Sequence, residues 1–280
     1  MAKTENIKKM LNYPPSESIL SLFEFKKEHK RKCLSDYSGY VKLIEEAIET
    51  LILVTGTLNY LPKETWPKHR GIQYGFLPGS IETLFCSFDD LMDGFYEEGT
   101  ILNRSVFDSI FKIAFITFYP DKVGLVLGIK PPKGTGRYNV SKFIKEELKI
   151  DWSFLWHYSS SLVHGKSHRV VKMWCDSSKG IPQILTFDLK YDKTNVTRPM
   201  NEILVYSWCL LRLVLLFTPE VLTNENIPLA TRDKLSNIEL SLRESLLGMP
   251  NKLKNVVSDF EKVEKMLCAA ETGKDWKILT

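Results

Sequence analysis

His157, His164, the three serines at 159–161 and Arg169 lie close together in the stretch DWSFLWHYSSSLVHGKSHR, which runs from Asp151 to Arg169. His157 and His164 are seven residues apart, so on a helix both rings lie on one face, about 10 Å apart along the axis. Such a pair could cleave RNA, with one imidazole removing the ribose 2′-hydroxyl proton and the other protonating the leaving 5′ oxygen. Arg169 could supply the cation that stabilises the phosphorane.

The same residues also have purely structural interpretations. A histidine beside tryptophan on a helix is often a partly buried residue with its hydrogen bonds satisfied. The serines at 159–161 follow no GxSxG elbow, and helical serines usually bond back to the preceding turn. His164 and His168 have i, i+4 spacing, but Gly165 between them favours a helix end, and no carboxylate stands at ligand spacing nearby. The pattern therefore predicts no metal and no cofactor.

The element that must position these side chains is a helix beginning at Asp151 and ending at Gly165. Asp151 can accept hydrogen bonds from first-turn N–H groups, and glycine suits the left-handed residue that ends a helix. Apolar residues recur between them at spacings of three and four, which predicts one buried face.

Composition is that of an ordinary soluble globular protein. The 280 residues are 44% hydrophobic and 26% charged, with a net charge of +4. Five scattered cysteines without CxxC spacing favour free thiols in a reducing compartment. The N-terminus has no apolar signal-peptide region, and the most apolar stretch, Ile203–Phe217, contains Arg212 and falls short of the roughly twenty residues of a membrane span. We expect a cytoplasmic protein without a membrane partner.

Basic residues are clustered although the net charge is small. The run KKEHKRK and the Pro- and Gly-rich loop KPPKGTGRY are candidate phosphate-binding segments, with a solvated surface as the alternative for the first. The GTG of the loop lacks the GKS/T ending of a Walker motif. The candidate RNA-binding residues are Lys26, Lys27, Lys30, Arg31, Lys32, Lys133, Arg137 and Arg169.

Helical periodicity dominates the chain and predicts an all-α fold with seven or eight helices. Pro14-Pro15 indicates that residues 1–20 form a short arm without a helix, and Gly and Pro indicate loops at Lys63–Ser80 and Leu125–Asn139. Ser80 is expected to cap a helix that reaches Glu98 and is broken by Gly99. The remaining expected helices are Ser21–Lys32, Tyr37–Leu61, Asn103–Tyr119, Ser141–Lys149, Thr197–Thr218, Leu229–Leu247 and Lys252–Ala270. Val170–Cys175 and Ile184–Tyr191 could form a small β-hairpin.

Two of these helices resemble a bacterial family of uncharacterised helical proteins. NRSVFDSIFKIAFI (Asn103–Ile116) resembles its Arg-x-x-x-Glu helix, and WHYSSSLVHG (Trp156–Gly165) resembles its Tyr-Arg-x-x-Ser-x-x-x-His signature. That family resembles a divergent branch of the HEPN (higher eukaryotes and prokaryotes nucleotide-binding) superfamily. HEPN proteins are helical bundles, often dimers, and many are metal-independent ribonucleases of toxin–antitoxin, abortive-infection and CRISPR systems.

The resemblance implies a set of site residues. His164 stands at the motif histidine, Ser160 at the motif serine and Arg104 at the first arginine, while Asp108 stands where the family has Glu. His157 occupies the position of the motif arginine and lacks its bidentate guanidinium. Either His157 replaces that arginine weakly, or Arg104 or Arg169 supplies the cation, or the site is not catalytic.

The resemblance covers roughly residues 40–165, with a weak extension to 220. It implies an arm or short helix at 1–35 and a single helical domain at 36–280, with a HEPN-like core at about 40–220 and C-terminal helices at 229–270. The function implied is RNA cleavage or RNA binding in bacterial defence, with RNA as partner and a homodimer as the possible assembly. The alternative is a non-catalytic interaction or sensor module that acts with a protein partner encoded nearby.

Overall fold

The structure is a computed structural model that describes residues 15–61, 66–129, 138–155, 191 and 193–279. These residues form an all-α protein, and no strand occurs among them. The predicted all-α class is therefore confirmed for the described part. The candidate hairpin at 170–191 lies outside it, apart from Tyr191.

The first helix, α1, is Pro15–Thr57, followed by a 3₁₀ turn at Leu58–Tyr60. The predicted helix-free arm is wrong from residue 15 onward, because Pro15 occupies the first turn, where a missing N–H costs nothing. Backbone angles break at Tyr37 (φ −132°, ψ 26°), which divides α1 into two halves close to the two helices predicted.

The next two helices, α2 (Arg70–Met92) and α3 (Tyr96–Phe118), form an antiparallel hairpin and share the most extensive interface among the described helices. The predicted loop is wrong for residues 70–80, which belong to α2 despite Pro78 and three glycines. Buried contacts outweigh their low helix propensity, and Ser80 does not cap a helix but donates to the Phe76 carbonyl at 2.6 Å.

Gly99 also lies inside a helix, contrary to the predicted break. A Cβ at Gly99 would stand 2.8 Å from the Ser87 carbonyl oxygen, so glycine permits the close approach of α2 and α3. The true break is at Gly94, whose φ of +90° and whose contacts with Phe25 and His29 require a residue without a side chain.

Short helices follow at Pro120–Lys122 (3₁₀), Val123–Val126 (α4) and Val140–Lys142 (α5), the last continuing as a π-helix at Phe143–Leu148. The later helices are α6 (Lys193–Phe217), α7 (Glu220–Thr223), α8 (Leu229–Leu247), α9 (Asn251–Glu271) and a 3₁₀ turn at Trp276–Leu279. The predicted α8 agrees in both bounds, and α6 and α9 agree to within a few residues.

Helix α6 is the central element, since it packs against α1, α2, α3, α8 and α9. It is long and apolar enough to span a membrane by length and composition, and 78% of its most apolar window is buried inside the protein. Its Arg212 donates to both carboxylate oxygens of Glu264 at 2.7 Å and to Glu239 at 3.4 Å. The Arg212 side chain is 33% exposed, and its two carboxylate partners offset the cost of its partial burial.

Candidate functional site

Arg104 and Asp108 form the ion pair that their i, i+4 spacing predicts. Arg104 Nη2 lies 2.9 Å from Asp108 Oδ1 on α3, and the two side chains are 13% and 30% exposed. Burial lowers the pKa of Arg104, which the charge of Asp108 opposes. Burial likewise raises the pKa of Asp108, while the charges of Arg104 and Lys112 act to lower it. The two charged groups of this pair are thus largely removed from solvent on one face of α3.

The helix face that carries this pair also receives the start of the histidine-bearing stretch. Arg104, Phe107, Asp108 and Phe111 share one face of α3, since they recur at spacings of three and four. The ring of Trp152 lies 5.4 Å from that of Phe111 and 6.4 Å from that of Phe107. Trp152 is almost completely buried and donates its indole N–H to Asp259 at 3.1 Å.

The local structure around Trp152 follows from its neighbours in sequence. The π-helix ends at Lys149, which adopts the left-handed conformation (φ +53°). Asp151 then accepts a hydrogen bond from the Ser153 N–H at 3.1 Å, as predicted for the residue preceding a helix, and residues 153–155 are helical. His157 follows Leu155 by two residues in the chain.

A second, partly buried polar cluster holds the backbone at this point. Arg198 of α6 donates to the Phe154 carbonyl at 2.8 Å and to Glu202 at 3.1 Å. Glu202 is 1% exposed and also accepts from the Asn103 amide at 3.4 Å. Burial raises the pKa of Glu202 to about 7, and the charge and hydrogen bond of Arg198 oppose that rise. This network links α3 and α6 to the start of the histidine-bearing stretch.

Tyr37, at the break in α1, holds the first turn of α6, the next helix after residues 156–190, which lie outside the described ranges. Its hydroxyl donates to the Lys193 carbonyl at 2.9 Å and lies 2.5 Å from the Thr197 hydroxyl. The preceding Tyr191 donates to Asp36 at 2.9 Å. The first turn of α6 is thereby fixed against the middle of α1.

Tyr138 brings a further hydroxyl to the neighbourhood of the ion pair. Its oxygen is buried with no hydrogen-bond partner within the described ranges, and its pKa is raised by burial and by the charge of Asp108. Its ring lies 4.9 Å from that of Phe115. A hydroxyl in this state could donate to an oxygen of a bound ligand.

The basic run of α1 is partly neutralised by its own neighbours. Lys26 forms an ion pair with Asp93 at 2.5 Å. Glu28 forms ion pairs with Arg31 at 2.8 Å and with Lys32 at 3.4 Å. Lys27 and Lys30 are exposed. His29, in the middle of the run, is buried and binds Tyr96 and the Met92 carbonyl, so this half of α1 docks on the α2–α3 turn.

Several predicted site residues lie outside the described residues: His157, Ser160, His164, Lys133, Arg137 and Arg169. Of the predicted catalytic set, the structure therefore brings together Arg104 and Asp108. The described residues contain no group of three His, Cys, Asp or Glu side chains placed to hold one metal ion.

Sequence reasoning missed Asn103, Tyr138, Arg198 and Glu202. The i, i+4 spacing of Arg198 and Glu202 could have predicted the ion pair between these two residues. Nothing local connects Asn103 to Glu202, which are 99 residues apart.

Comparison of the chain with protein-family models, with curated proteins and with solved structures found no significant match.

Proposed function

We propose that this protein is a HEPN-like bundle that binds RNA and cleaves it by metal-independent acid–base catalysis, in a bacterial defence or toxin system. His164 acts as the acid–base residue, and His157 and Arg104 contact the phosphate. Asp108 orients Arg104, and Ser160 gives hydrogen-bonding support. Lys26–Lys32 and Lys130–Arg137 add salt-dependent affinity for phosphates.

The observation that supports the proposal is the contact of Trp152 with Phe107 and Phe111. It joins the beginning of the histidine-bearing stretch to the helix face that carries Arg104 and Asp108. A desolvated guanidinium interacts more strongly with a phosphate than an exposed one does, because the local dielectric is low. The hydrogen bonds of Arg198 to Glu202 and to the Phe154 carbonyl support the backbone at this junction.

A second candidate, a non-catalytic interaction module, is favoured by a different observation. The Arg104 side chain is only 13% exposed and is bound to Asp108, so it must exchange that partner or share it to reach a phosphate. Half of the basic run is likewise held by acidic neighbours.

The decisive experiment is incubation of the purified protein with a mixed RNA pool in EDTA, followed by sequencing of fragment ends. We expect 2′,3′-cyclic phosphate ends from the wild type and none from His164→Ala. Arg104→Lys should retain the fold and lose about tenfold or more in rate, since lysine lacks the bidentate fork. Arg243→Lys, in an exposed pair with Glu261, is the matched control and should cleave as the wild type does.

Circular dichroism and thermal melting of each variant separate loss of chemistry from loss of fold. Folded wild-type protein that produces no ends would contradict the catalytic proposal. If that sample still bound RNA, the proposed function would be limited to RNA binding without cleavage. Capture of one protein partner without nucleic acid would support the interaction module.

A further inference from the structure

An exposed apolar groove lies between the C-terminal half of α1 and the middle of α2. It has a volume of about 280 Å³ and is lined by Ile52, Thr55, Pro78, Ile81, Glu82 and Phe85. Ile52 is 56% exposed and Phe85 is 53% exposed, although both are large apolar side chains in regular helices. Single exposed apolar residues are ordinary, but two that flank one groove mark a candidate contact surface.

The groove lies between two outward stripes with heptad-like spacing. On α1 the stripe is Glu45, Glu49, Ile52 and Gly56, and on α2 it is Gly71, Gly75, Pro78, Glu82, Phe85 and Asp89, all of them exposed. Spacing of this kind presents one continuous face to a third helix. A Cβ at Gly56, Gly71, Gly75 or Gly79 would meet nothing within 4 Å, so these positions of the two helices face open space.

The charged residues in the segments of α1 and α2 that flank this groove are acidic. Residues 43–57 contain Glu45, Glu46 and Glu49 and no lysine or arginine. Residues 71–92 contain Glu82, Asp89 and Asp90 and again no basic residue. Lys234 of α8 binds Glu49 at 3.1 Å, and Lys42 lies 3.8 Å from Glu46, which offsets part of this charge. The charge of this surface is negative, whereas the net charge of the whole chain is +4.

We propose that the groove binds an amphipathic helix of a protein partner whose apolar side chains are flanked by lysine or arginine. The apolar floor would receive the partner's apolar side chains, and Glu45, Glu82 and Asp89 would face its basic flank. The acidic residues at the edge of the groove repel RNA and anionic membranes. Among the ligands that commonly bind an apolar groove, their charge therefore favours a basic protein segment. This inference does not depend on RNA cleavage.

The test uses the full chain and two labelled synthetic helices, one of leucine and lysine and the other of leucine and glutamate. Fluorescence anisotropy should show binding of the lysine helix, weakened by added salt, and at least about tenfold weaker binding of the glutamate helix. The double variant Ile52→Asp/Phe85→Asp should bind the lysine helix about tenfold or more weakly than the wild type does.

Leu229→Asp/Leu240→Asp is the matched control, because Leu229 and Leu240 of α8 are 63% and 50% exposed and lie outside the groove lining. It should bind the lysine helix as the wild type does. Equal binding of both peptides, or equal loss in the two double variants, would overturn the proposal.

Two further measurements keep the proposal falsifiable. Gly75→Leu adds a side chain to the exposed stripe of α2, and it should weaken binding, whereas Gly39→Leu, elsewhere on α1 and also in open space, should not. Sedimentation of the protein alone tests whether a second copy of this chain occupies the groove instead of a partner helix. A dimer that forms in the wild type and is lost in Ile52→Asp/Phe85→Asp would show that a second copy of this chain fills the groove, and the proposed basic helix would be rejected.

Discussion

Glu202 is a carboxyl group at the centre of the protein with 1% of its surface exposed. Its partners are Arg198 and Asn103, which come from two different helices. Because burial outweighs these partners, the folded protein holds the pKa of Glu202 at about 7, against an ordinary value of 4.5. The unfolded chain therefore loses this proton at lower pH than the folded protein does.

Glu202→Gln should remove a pH dependence of stability. Between pH 4.5 and about 7 unfolding of the wild type releases the Glu202 proton, so rising pH should lower its free energy of unfolding, by up to on the order of 3 kcal/mol. Above pH 7 both states are ionised and the effect should level off. Urea unfolding from pH 5 to 8 would measure this, with Glu82→Gln as an exposed control that should follow the wild type. Parallel curves for Glu202→Gln and wild type would contradict the assignment.

The Arg104–Asp108 pair has a different pH signature. Arg104→Met leaves Asp108 partly buried without its nearest cation, and should lower the free energy of unfolding at pH 7 by about 1–3 kcal/mol, below the range for fully buried pairs. The loss should shrink as pH falls, because burial raises the pKa of Asp108 and its protonated form carries no charge. Arg104→Met/Asp108→Leu should recover most of the stability.

The control for that series is Arg243→Met in the exposed pair with Glu261, which should cost less than about 1 kcal/mol. Chemical denaturation at pH 5 and pH 7 gives the comparison. A loss for Arg104→Met that does not change with pH would assign the effect to the lost contact of the Arg104 guanidinium with the Phe107 ring, 5.3 Å from the ring centroid.

Among the elements, the α2–α3 hairpin shows where sequence reasoning succeeded and where it failed. The all-α class, the bounds of α8 and the Arg104–Asp108 contact follow from local periodicity and spacing, which the sequence displays directly. The glycines were misread as breaks because their role is tertiary. Gly99 accommodates Ser87, twelve residues away, and the sequence alone cannot distinguish such a contact from a turn.

Two glycine-to-alanine substitutions in this hairpin should have opposite signs. Gly99→Ala should destabilise the protein by about 1–3 kcal/mol, because its methyl group would meet the Ser87 backbone at 2.8 Å. Gly75→Ala should stabilise it by about 0.5–1 kcal/mol, since the site is open and helical and alanine is the better helix former. Thermal unfolding of both variants under one condition would test this, and equal signs would show that the packing of α2 on α3 adjusts.

For the whole molecule, the distribution of charge matters more than its net value. The two exposed lysines of the α1 run lie on a different half of that helix from the acidic groove stripe. Nucleic-acid affinity that arises from phosphate contacts should therefore depend on the first region, and partner affinity on the second.

Lys27→Gln/Lys30→Gln should reduce the salt dependence of RNA binding. If both lysines contact phosphates of single-stranded RNA, the slope of log K against log salt should fall in magnitude by about 1.4. Filter binding over a range of salt concentrations measures the slope. Lys252→Gln/Lys254→Gln, an exposed pair of lysines on α9, is the matched control and should leave the slope unchanged. Equal reductions in both would indicate a diffuse charge effect without a basic binding segment.

The two contacts described above, Arg198 on the Phe154 carbonyl and Tyr37 on the Lys193 carbonyl, fix the described residues on either side of 156–190 to the bundle. Lys193 and Arg198 are five residues apart, or about 7.5 Å along α6, so both fixed points lie at the start of α6. We expect that replacing residues 157–190 with a short Gly-Ser linker retains a cooperative unfolding transition, because a shorter connection has a smaller loop-closure entropy and both contacts remain. The same replacement should abolish RNA cleavage. Retained folding together with loss of cleavage would show that the stability of the bundle and the proposed chemistry depend on different parts of the chain.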